Sequence, residues 1–236
     1  MTCPNCHALM TEQTLTGHWS TPLAIDLCLA CQAFWFDGYE SLKLSPASVL
    51  TLFRLIGEQT PAKPVALSDT CACPRCQMRL VPTHDLQRNT RFEYLRCPVK
   101  HGRLTTFFNF LREKDFIRPL SAQQIEELRR TAQAVNCSNC GASVNLASGA
   151  ACDHCKSPLS MLDMRQAQSL VETLRSADAA KTLDPSWPMQ AERARRETES
   201  AFASFERQSS WTETLITAGI VGAGLSSLAR WLKNNS

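Results

Sequence analysis

The chain has 236 residues, of which twelve are cysteine, and its formal net charge at pH 7 is +3. So small a net charge excludes a general attraction of the whole chain to nucleic acid, and such binding would need a local basic surface. The cysteines divide the chain into modules of roughly 25 to 45 residues, which are too small to bury a stable apolar core without metal ions or disulfides.

The cysteines recur as close Cys-x-x-Cys pairs, or knuckles, and two knuckles supply the four soft ligands of a tetrahedral structural zinc site. Six disulfides are the alternative for a secreted protein. The start Met1-Thr2-Cys3-Pro4 has neither the basic region nor the apolar run of a signal peptide, which favours zinc and a cytoplasmic location. Three structural zinc ions are therefore predicted. Their predicted ligands are Cys3, Cys6, Cys28 and Cys31; Cys73, Cys76, Cys97 and His101; and Cys137, Cys140, Cys152 and Cys155.

The first module covers residues 1–44. Residues 23–27 and 33–36 are predicted strands on either side of its second knuckle, and Asp37-Gly38 is a predicted turn. Residues 1–45 contain one basic and four acidic side chains, so this module is acidic.

Several motifs of this module follow one another in a characteristic order. They are Cys3-Pro4-x-Cys6, Ile25-Asp26-x-Cys28-x-x-Cys31, and Trp35-Phe36-Asp37 followed by Glu40. In this order they resemble the bacterial transcription-factor-IIB-type zinc-finger family over residues 1–42, which implies a zinc-ribbon fold with these four cysteine ligands. The family usually has a glycine after each knuckle and another two positions after the aspartate. Here His7 and Gln32 follow the knuckles, and Gly38 follows Asp37 directly.

A helix is predicted over residues 45–60, because Ser45 can cap its N-terminus and Pro46 suits its first turn. Residues 61–70 are rich in proline and polar residues and are predicted to form a linker.

The second module covers residues 71–118, and two explanations of its fourth ligand remain open. His101 lies four residues after Cys97 and is followed by Gly102, as a knuckle would be. Cys71 competes with it, but only one residue separates Cys71 from Cys73, and Cys-x-Cys is a poorer chelating geometry for a ribbon. The pattern therefore favours His101 and leaves Cys71 as a spare thiol.

This module is basic, since residues 73–112 carry eight basic and two acidic side chains. Residues 79–81 and 91–95 predict a β-hairpin, on which cationic and aromatic side chains could contact phosphates and stack on bases. The candidate nucleic-acid-binding residues are Arg88, Arg91, Phe92, Tyr94, Arg96, Lys100 and Arg103.

A helix predicted over residues 119–136 precedes the third module, because Ser121 and Gln124 form a capping-box pattern. The third module covers residues 137–160, and only 11 residues separate its knuckles. It is therefore predicted to be a minimal ribbon with almost no hairpin.

Two further helical regions are predicted. Residues 161–208 form a charged region, and residues 211–233 form an apolar helix with small residues four positions apart and tryptophans near both ends. Its length is near what a membrane span needs, but its glycines, serines and Arg230 equally suit an oligomer interface. A homo-oligomer and a membrane tether both remain open.

These observations predict an α+β fold of three small zinc-ribbon modules linked by helices, with a C-terminal helical region. An enzyme is not predicted, since sites with four protein ligands leave no coordination position for a reacting water. The favoured function is an adaptor that docks a protein partner, for which Trp35 and Tyr39 are candidate exposed aromatic residues. The alternative is a nucleic-acid-binding protein that acts through the second module.

Overall fold

The computed structural model describes residues 1–17, 21–59, 64–87 and 90–163, and the single positions 166, 169, 172 and 221. Helices and antiparallel strands are mixed, which confirms the predicted α+β class. The elements of the described ranges are β1 (Thr11–Thr16), β2 (Pro22–Cys28), β3 (Ala33–Phe36), α1 (Glu40–Lys43), α2 (Pro46–Gln59), β4 (Val81–Gln87), β5 (Thr90–Arg96), β6 (Arg103–Thr106), α3 (Phe107–Glu113), β7 (Ile117–Pro119), α4 (Ala122–Thr131), β8 (Ala134–Asn136), β9 (Ser143–Asn145) and β10 (Ser160–Leu162).

The first two modules have the same internal topology. In each of them a knuckle leads into an antiparallel hairpin, a second ligand-bearing turn follows, and a third strand completes the unit. The hairpins are β1–β2 in the first module and β4–β5 in the second. The inner strand of each hairpin carries its buried side chains, Ile25 and Leu27 in β2 and Phe92 in β5, whereas the outer strands β1 and β4 are mostly exposed.

The two modules form one six-stranded sheet in the order β1-β2-β3-β6-β5-β4. The junction is the antiparallel pair β3–β6, in which Ala33 is opposite Thr106 and Phe36 is opposite Arg103. Because each module contributes its own third strand in the same way, the modules are related by a pseudo-twofold axis. They are one folded body, a feature that the cysteine spacing does not reveal.

One face of this sheet is covered by helices. Phe34 and Phe36 of β3 pack against Phe110 of α3, with ring centroids 5.0 and 5.8 Å apart from it. From α2, Phe53 also contacts Phe110 at 6.4 Å and Phe116 at 4.4 Å. Leu52 and Ile56 of α2 belong to the same buried cluster. These side chains form the main apolar core of the described residues.

The opposite face carries a second buried cluster in which Trp35, Leu104 and Leu80 lie among cysteines of the first two modules. The expectation that Trp35 is an exposed aromatic residue is therefore wrong, since its side chain is only 1% exposed. Its indole N–H donates to Asp37 Oδ1 at 2.8 Å. Tyr39, by contrast, is 76% exposed.

The third module has a separate small core that includes Leu128, Val144 and Leu146. Helix α4 starts with the predicted capping box, in which Ser121 Oγ accepts from the N–H of Gln124 and the Gln124 side chain accepts from the N–H of Ser121. The helix is shorter than predicted. Residues 117–119 and 134–136 are strands instead, because β7 pairs with β10 and β8 pairs with β9.

The predicted regions 161–208 and 211–233 lie largely outside the described residues. Met161 and Leu162 belong to β10, where the helical region was predicted to begin. Val221 is buried in the main core, and its N–H lies 3.4 Å from Ser138 Oγ. Over the described part of the chain, no helix has both the length and the apolar character needed to cross a membrane.

Candidate metal centres

Twelve side chains come together as three groups of four, and they are the twelve that the spacing predicts. Within each group the potential ligand atoms all lie within 4.8 Å of one another. All twelve cysteines of the chain are free thiols. The three groups are Cys3, Cys6, Cys28 and Cys31; Cys73, Cys76, Cys97 and His101; and Cys137, Cys140, Cys152 and Cys155.

The distances between sulfur atoms fit a tetrahedral metal ion. Four sulfurs at about 2.3 Å from a zinc ion would stand about 3.8 Å from one another. The observed Sγ–Sγ separations are 3.9 Å for Cys3 and Cys31, 3.5 Å for Cys6 and Cys28, 3.6 Å for Cys76 and Cys97, 3.5 Å for Cys137 and Cys155, and 3.7 Å for Cys140 and Cys152. Each group could therefore hold one ion without rearrangement of the backbone.

The first knuckle of every module folds in the same way. In the first module the N–H of His7 donates to the carbonyl of Cys3, and in the second that of Gln77 donates to the carbonyl of Cys73. The donor residue has a positive φ, 59° at both His7 and Gln77 and 71° at Gly141 of the third module. His7 and Gln77 thus adopt the left-handed conformation that glycine favours and that Gly141 adopts at the equivalent position.

In the first centre, N–H groups point toward the sulfur atoms. The backbone N–H of Asn5 lies 3.4 Å from Cys3 Sγ, and the Asn5 side-chain amide donates to Cys31 Sγ at 3.2 Å. A hydrogen bond from Cys28, which outweighs burial, lowers the pKa of Cys3 to about 5. Since the thiolate is the form that binds metal, this shift favours the ligand state of Cys3, whereas the pKa values of Cys28 and Cys31 are raised.

In the second centre, His101 is the fourth group. Its Nδ1 lies 3.7 Å from both Cys73 Sγ and Cys97 Sγ. Cys71 is buried elsewhere, with its Sγ 3.4 Å from Asn5 Oδ1 in the first module, and burial raises its thiol pKa. Cys71 is thus a neutral thiol beside the first centre. The fourth residue of the second centre is His101 and not Cys71.

The third centre also contains one thiol that favours the thiolate. Its hydrogen bond with Cys137 lowers the pKa of Cys155 to about 4, despite burial. Burial raises the pKa of Cys140 to about 12. Asn139, inside the knuckle, accepts from Thr106 Oγ1 at 2.9 Å and donates to Ser157 Oγ at 3.0 Å, which fixes this centre against α3.

The candidate nucleic-acid-binding residues do not lie on one surface. Arg91, Arg96 and Lys100 are exposed. Phe92 is buried, and Arg103 is largely buried with its guanidinium 4.6 Å from the ring centroid of the half-buried Tyr94. Arg88 lies outside the described residues. Of the two rings predicted to stack on bases, Phe92 is therefore covered by the protein itself, whereas Tyr94 is covered only in part.

Two contacts that the sequence pattern did not indicate join the first module to the second centre. Arg75, between Cys73 and Cys76, forms an ion pair with Asp37. Gly102, directly after His101, lies against Trp35 and Phe36. Asp37 belongs to the Trp35-Phe36-Asp37 motif that the sequence analysis singled out, but its partner Arg75 lies in another module and cannot be predicted from spacing.

Substitution of Gly102 by alanine is expected to destabilise the zinc-loaded protein by about 1–3 kcal/mol, the usual cost of overpacking. A Cβ there would lie 2.5 Å from the carbonyl oxygen of Phe36 and 2.8 Å from ring atoms of Trp35. Urea unfolding followed by circular dichroism measures the change. Gly149→Ala is the matched control, since no atom lies within 4 Å of its added Cβ. Equal midpoints for the two variants would contradict this packing.

The fold and the three groups define an α+β protein with three candidate tetrahedral metal centres, two of which share one sheet. No family model, curated protein or solved structure matches the chain. The resemblance of residues 1–42 to the transcription-factor-IIB-type zinc-finger family accordingly rests on its motifs alone.

Proposed function

We propose that this protein is a non-enzymatic, cytoplasmic zinc-binding adaptor whose metal-stabilised modules dock a protein partner. The observation that carries the proposal is an exposed apolar pair, Tyr39 and Leu42, on the first module. This pair lies at α1, directly after strand β3 of the sheet, whose side chains belong to the two apolar clusters. The resemblance to the transcription-factor-IIB-type family supports the ribbon fold of that module and is no argument for a particular process.

Zinc is the proposed metal in all three centres. Four thiolates, or three thiolates and one imidazole, in a closed tetrahedral arrangement are typical of structural zinc sites. Such a centre supplies folding free energy, and its full set of protein ligands leaves no position at which a substrate or a reactive water would bind. This supports a structural role for the ions and a non-enzymatic role for the chain.

The proposed docking surface consists of Tyr39 and Leu42, which are 76% and 51% exposed. They lie on one turn at α1, where the N–H of Leu42 donates to the carbonyl of Tyr39 at 3.1 Å. Tyrosine is among the residues that most often anchor protein interfaces, and Leu42 on the same turn adds exposed apolar surface beside it. The module around them is acidic, so the proposed partner is a protein with an apolar groove bordered by basic side chains.

The test is affinity capture with zinc-loaded full-length protein, followed by measurement of the Kd of each captured protein. A Tyr39→Ser, Leu42→Ser double variant is expected to weaken the relevant partner by at least tenfold. The control is Leu86→Ser. Leu86 is also exposed, at 59%, but it lies on strand β4 of the second module, outside the proposed docking surface. A partner that binds both variants equally well would contradict this docking surface.

Nucleic-acid binding is the second candidate, and the exposed Arg91, Arg96 and Lys100 are the observation that favours it. If they contact phosphates, replacement of all three by glutamate is expected to abolish binding while zinc content stays unchanged. Binding of the unaltered protein should fall with salt, with a slope of log affinity on log salt of about −0.9 per phosphate neutralised on duplex DNA.

The matched control reverses three exposed charges elsewhere, Lys43→Glu, Arg118→Glu and Arg130→Glu, and so changes the net charge equally. Equal loss of affinity in the two triple variants would indicate non-specific attraction. If the unaltered protein does not bind nucleic acid at low salt, the adaptor function is the only one of the two candidates that remains.

The apolar segment 211–233 is proposed to mediate self-association or membrane tethering. Deletion of residues 211–236 is then expected to convert an oligomer, or a membrane-bound protein, into a soluble monomer. Size-exclusion chromatography with light scattering measures the first outcome, and cell fractionation measures the second. Unchanged mass and unchanged fractionation would contradict both roles.

A further inference from the structure

We infer that the first and second metal centres bind their ions as a cooperative pair, whereas the third centre is loaded nearly independently. This goes beyond the proposed adaptor function, because it concerns how the protein acquires and loses metal. The starting observation is the junction β3–β6, which joins the third strands of both modules in a single sheet. Strand β3, which follows the first centre, is therefore hydrogen-bonded to strand β6, which follows the second centre.

The first module supports both ligand-bearing turns of the second centre. Asp37 pairs with Arg75 in the turn that carries Cys73 and Cys76. Trp35 packs against Gly102, whose carbonyl accepts from the N–H of Cys97 at 2.9 Å. If the first module is unfolded because it lacks metal, both the Asp37–Arg75 pair and the packing of Trp35 against Gly102 are lost.

The support also runs in the other direction. Asn5 donates to Cys31 Sγ of the first centre, while its Oδ1 accepts from the N–H of Ser68 at 2.8 Å and lies 3.4 Å from Cys71 Sγ. Cys71 in turn accepts, through its carbonyl, from the N–H of Leu80 at 2.8 Å, which closes the hairpin around the second centre's first knuckle. The side-chain amide of Asn5 thus contacts both Cys31, a ligand of the first centre, and the segment from Ser68 to Cys71 that precedes the second centre.

Burial gives the same grouping. Cysteines of the first two centres lie in one apolar cluster, together with Trp35, Leu80 and Leu104. The four cysteines of the third centre belong to a different cluster. Among the described residues, the third centre contacts the second module through the Asn139 side chain, and the strand after it, β10, pairs with β7, but neither contact involves a ligand-bearing turn of the first two centres.

Cooperativity follows because metal binding and folding are one process in modules of this size. An ion in one centre orders residues that the other centre needs, so the second ion binds to a site that is already partly formed. Couplings of this kind change affinity by about 5- to 150-fold, and linkage makes the effect reciprocal.

A cobalt(II) titration of the full-length chain tests the inference, since His101 makes the second centre distinguishable. Cobalt bound by three thiolates and an imidazole absorbs at shorter wavelength than cobalt bound by four thiolates. In a Cys28→Ser variant, cobalt affinity at the second centre is expected to fall by about 5- to 150-fold. In a Cys152→Ser variant, which removes a ligand of the third centre, it is expected to change less than about twofold. Equal affinities in the two variants would overturn the inference.

A second measurement covers the case in which the Cys28→Ser chain aggregates. The Cys152→Ser chain, with two complete centres, is mixed with one equivalent of zinc and analysed by native mass spectrometry. Cooperative loading gives mainly chains with no ion and chains with two ions. A dominant population with one ion would refute the coupling, whatever the outcome for the adaptor function.

Discussion

Removal of metal by an excess of a strong chelator is expected to unfold the six-stranded sheet. Each structural centre contributes an apparent binding free energy of roughly 10–16 kcal/mol. A whole domain is stable by only about 5–15 kcal/mol, so the loss of two centres exceeds the stability that the sheet can have. The circular dichroism of the strands should disappear, and hydrogen exchange should accelerate at the β3–β6 junction.

The buried position of Trp35 provides an internal control for this experiment. Its indole lies in the cluster that contains cysteines of both centres, so its solvent exposure should change together with metal loss. Re-addition of zinc should restore the protection of the junction. Retention of strand structure after elemental analysis has shown that the protein is metal-free would contradict the expectation and would mean that the helix-covered core alone stabilises the sheet.

The metal centres were the part of the molecule that the sequence predicted best. Tetrahedral coordination needs two close ligand pairs, and Cys-x-x-Cys provides each pair locally, so spacing alone nearly determines the ligands. Local capping chemistry likewise predicted the start of α2 after Ser45 and of α4 after Ser121. His101 required a choice between neighbours, and the favoured residue is the one that lies with the other three ligands.

The relation between modules could not be predicted, because it depends on contacts that are distant in the chain. Nothing in β3 or β6 alone specifies that Phe34 lies opposite Thr105. Trp35 was expected at the surface because the first module was considered alone, whereas the second module buries it. The sequence likewise counted Arg103 among the basic side chains of a binding surface, whereas it forms an ion pair with the buried Glu113 inside the protein.

That buried ion pair gives the second large expected effect. The carboxylate of Glu113 is fully buried and accepts from Arg103 Nη2 at 2.7 Å, from Lys114 Nζ at 3.2 Å and from Ser41 Oγ at 2.8 Å. Burial lowers the pKa of Lys114, and Glu113 opposes that effect. Replacement of Glu113 by alanine would leave two buried cations without their counter-ion, and it is expected to lower the free energy of unfolding by about 3–5 kcal/mol.

Denaturant unfolding of the zinc-loaded variant measures this loss, and an exposed glutamate gives the comparison. Glu126 pairs with Arg129 at 3.6 Å and Arg130 at 3.9 Å on the surface of α4, so Glu126→Ala should cost at most about 1 kcal/mol. A double variant, Arg103→Met with Glu113→Leu, removes both opposite charges and should recover part of the lost stability, since no unpaired charge remains between these two positions. If Glu113→Ala were as stable as Glu126→Ala, the buried network in which Glu113 accepts from Arg103 and from Ser41 of the first module would not stabilise the contact between the two modules. The stability of the double module would then depend on its metal centres and apolar clusters alone.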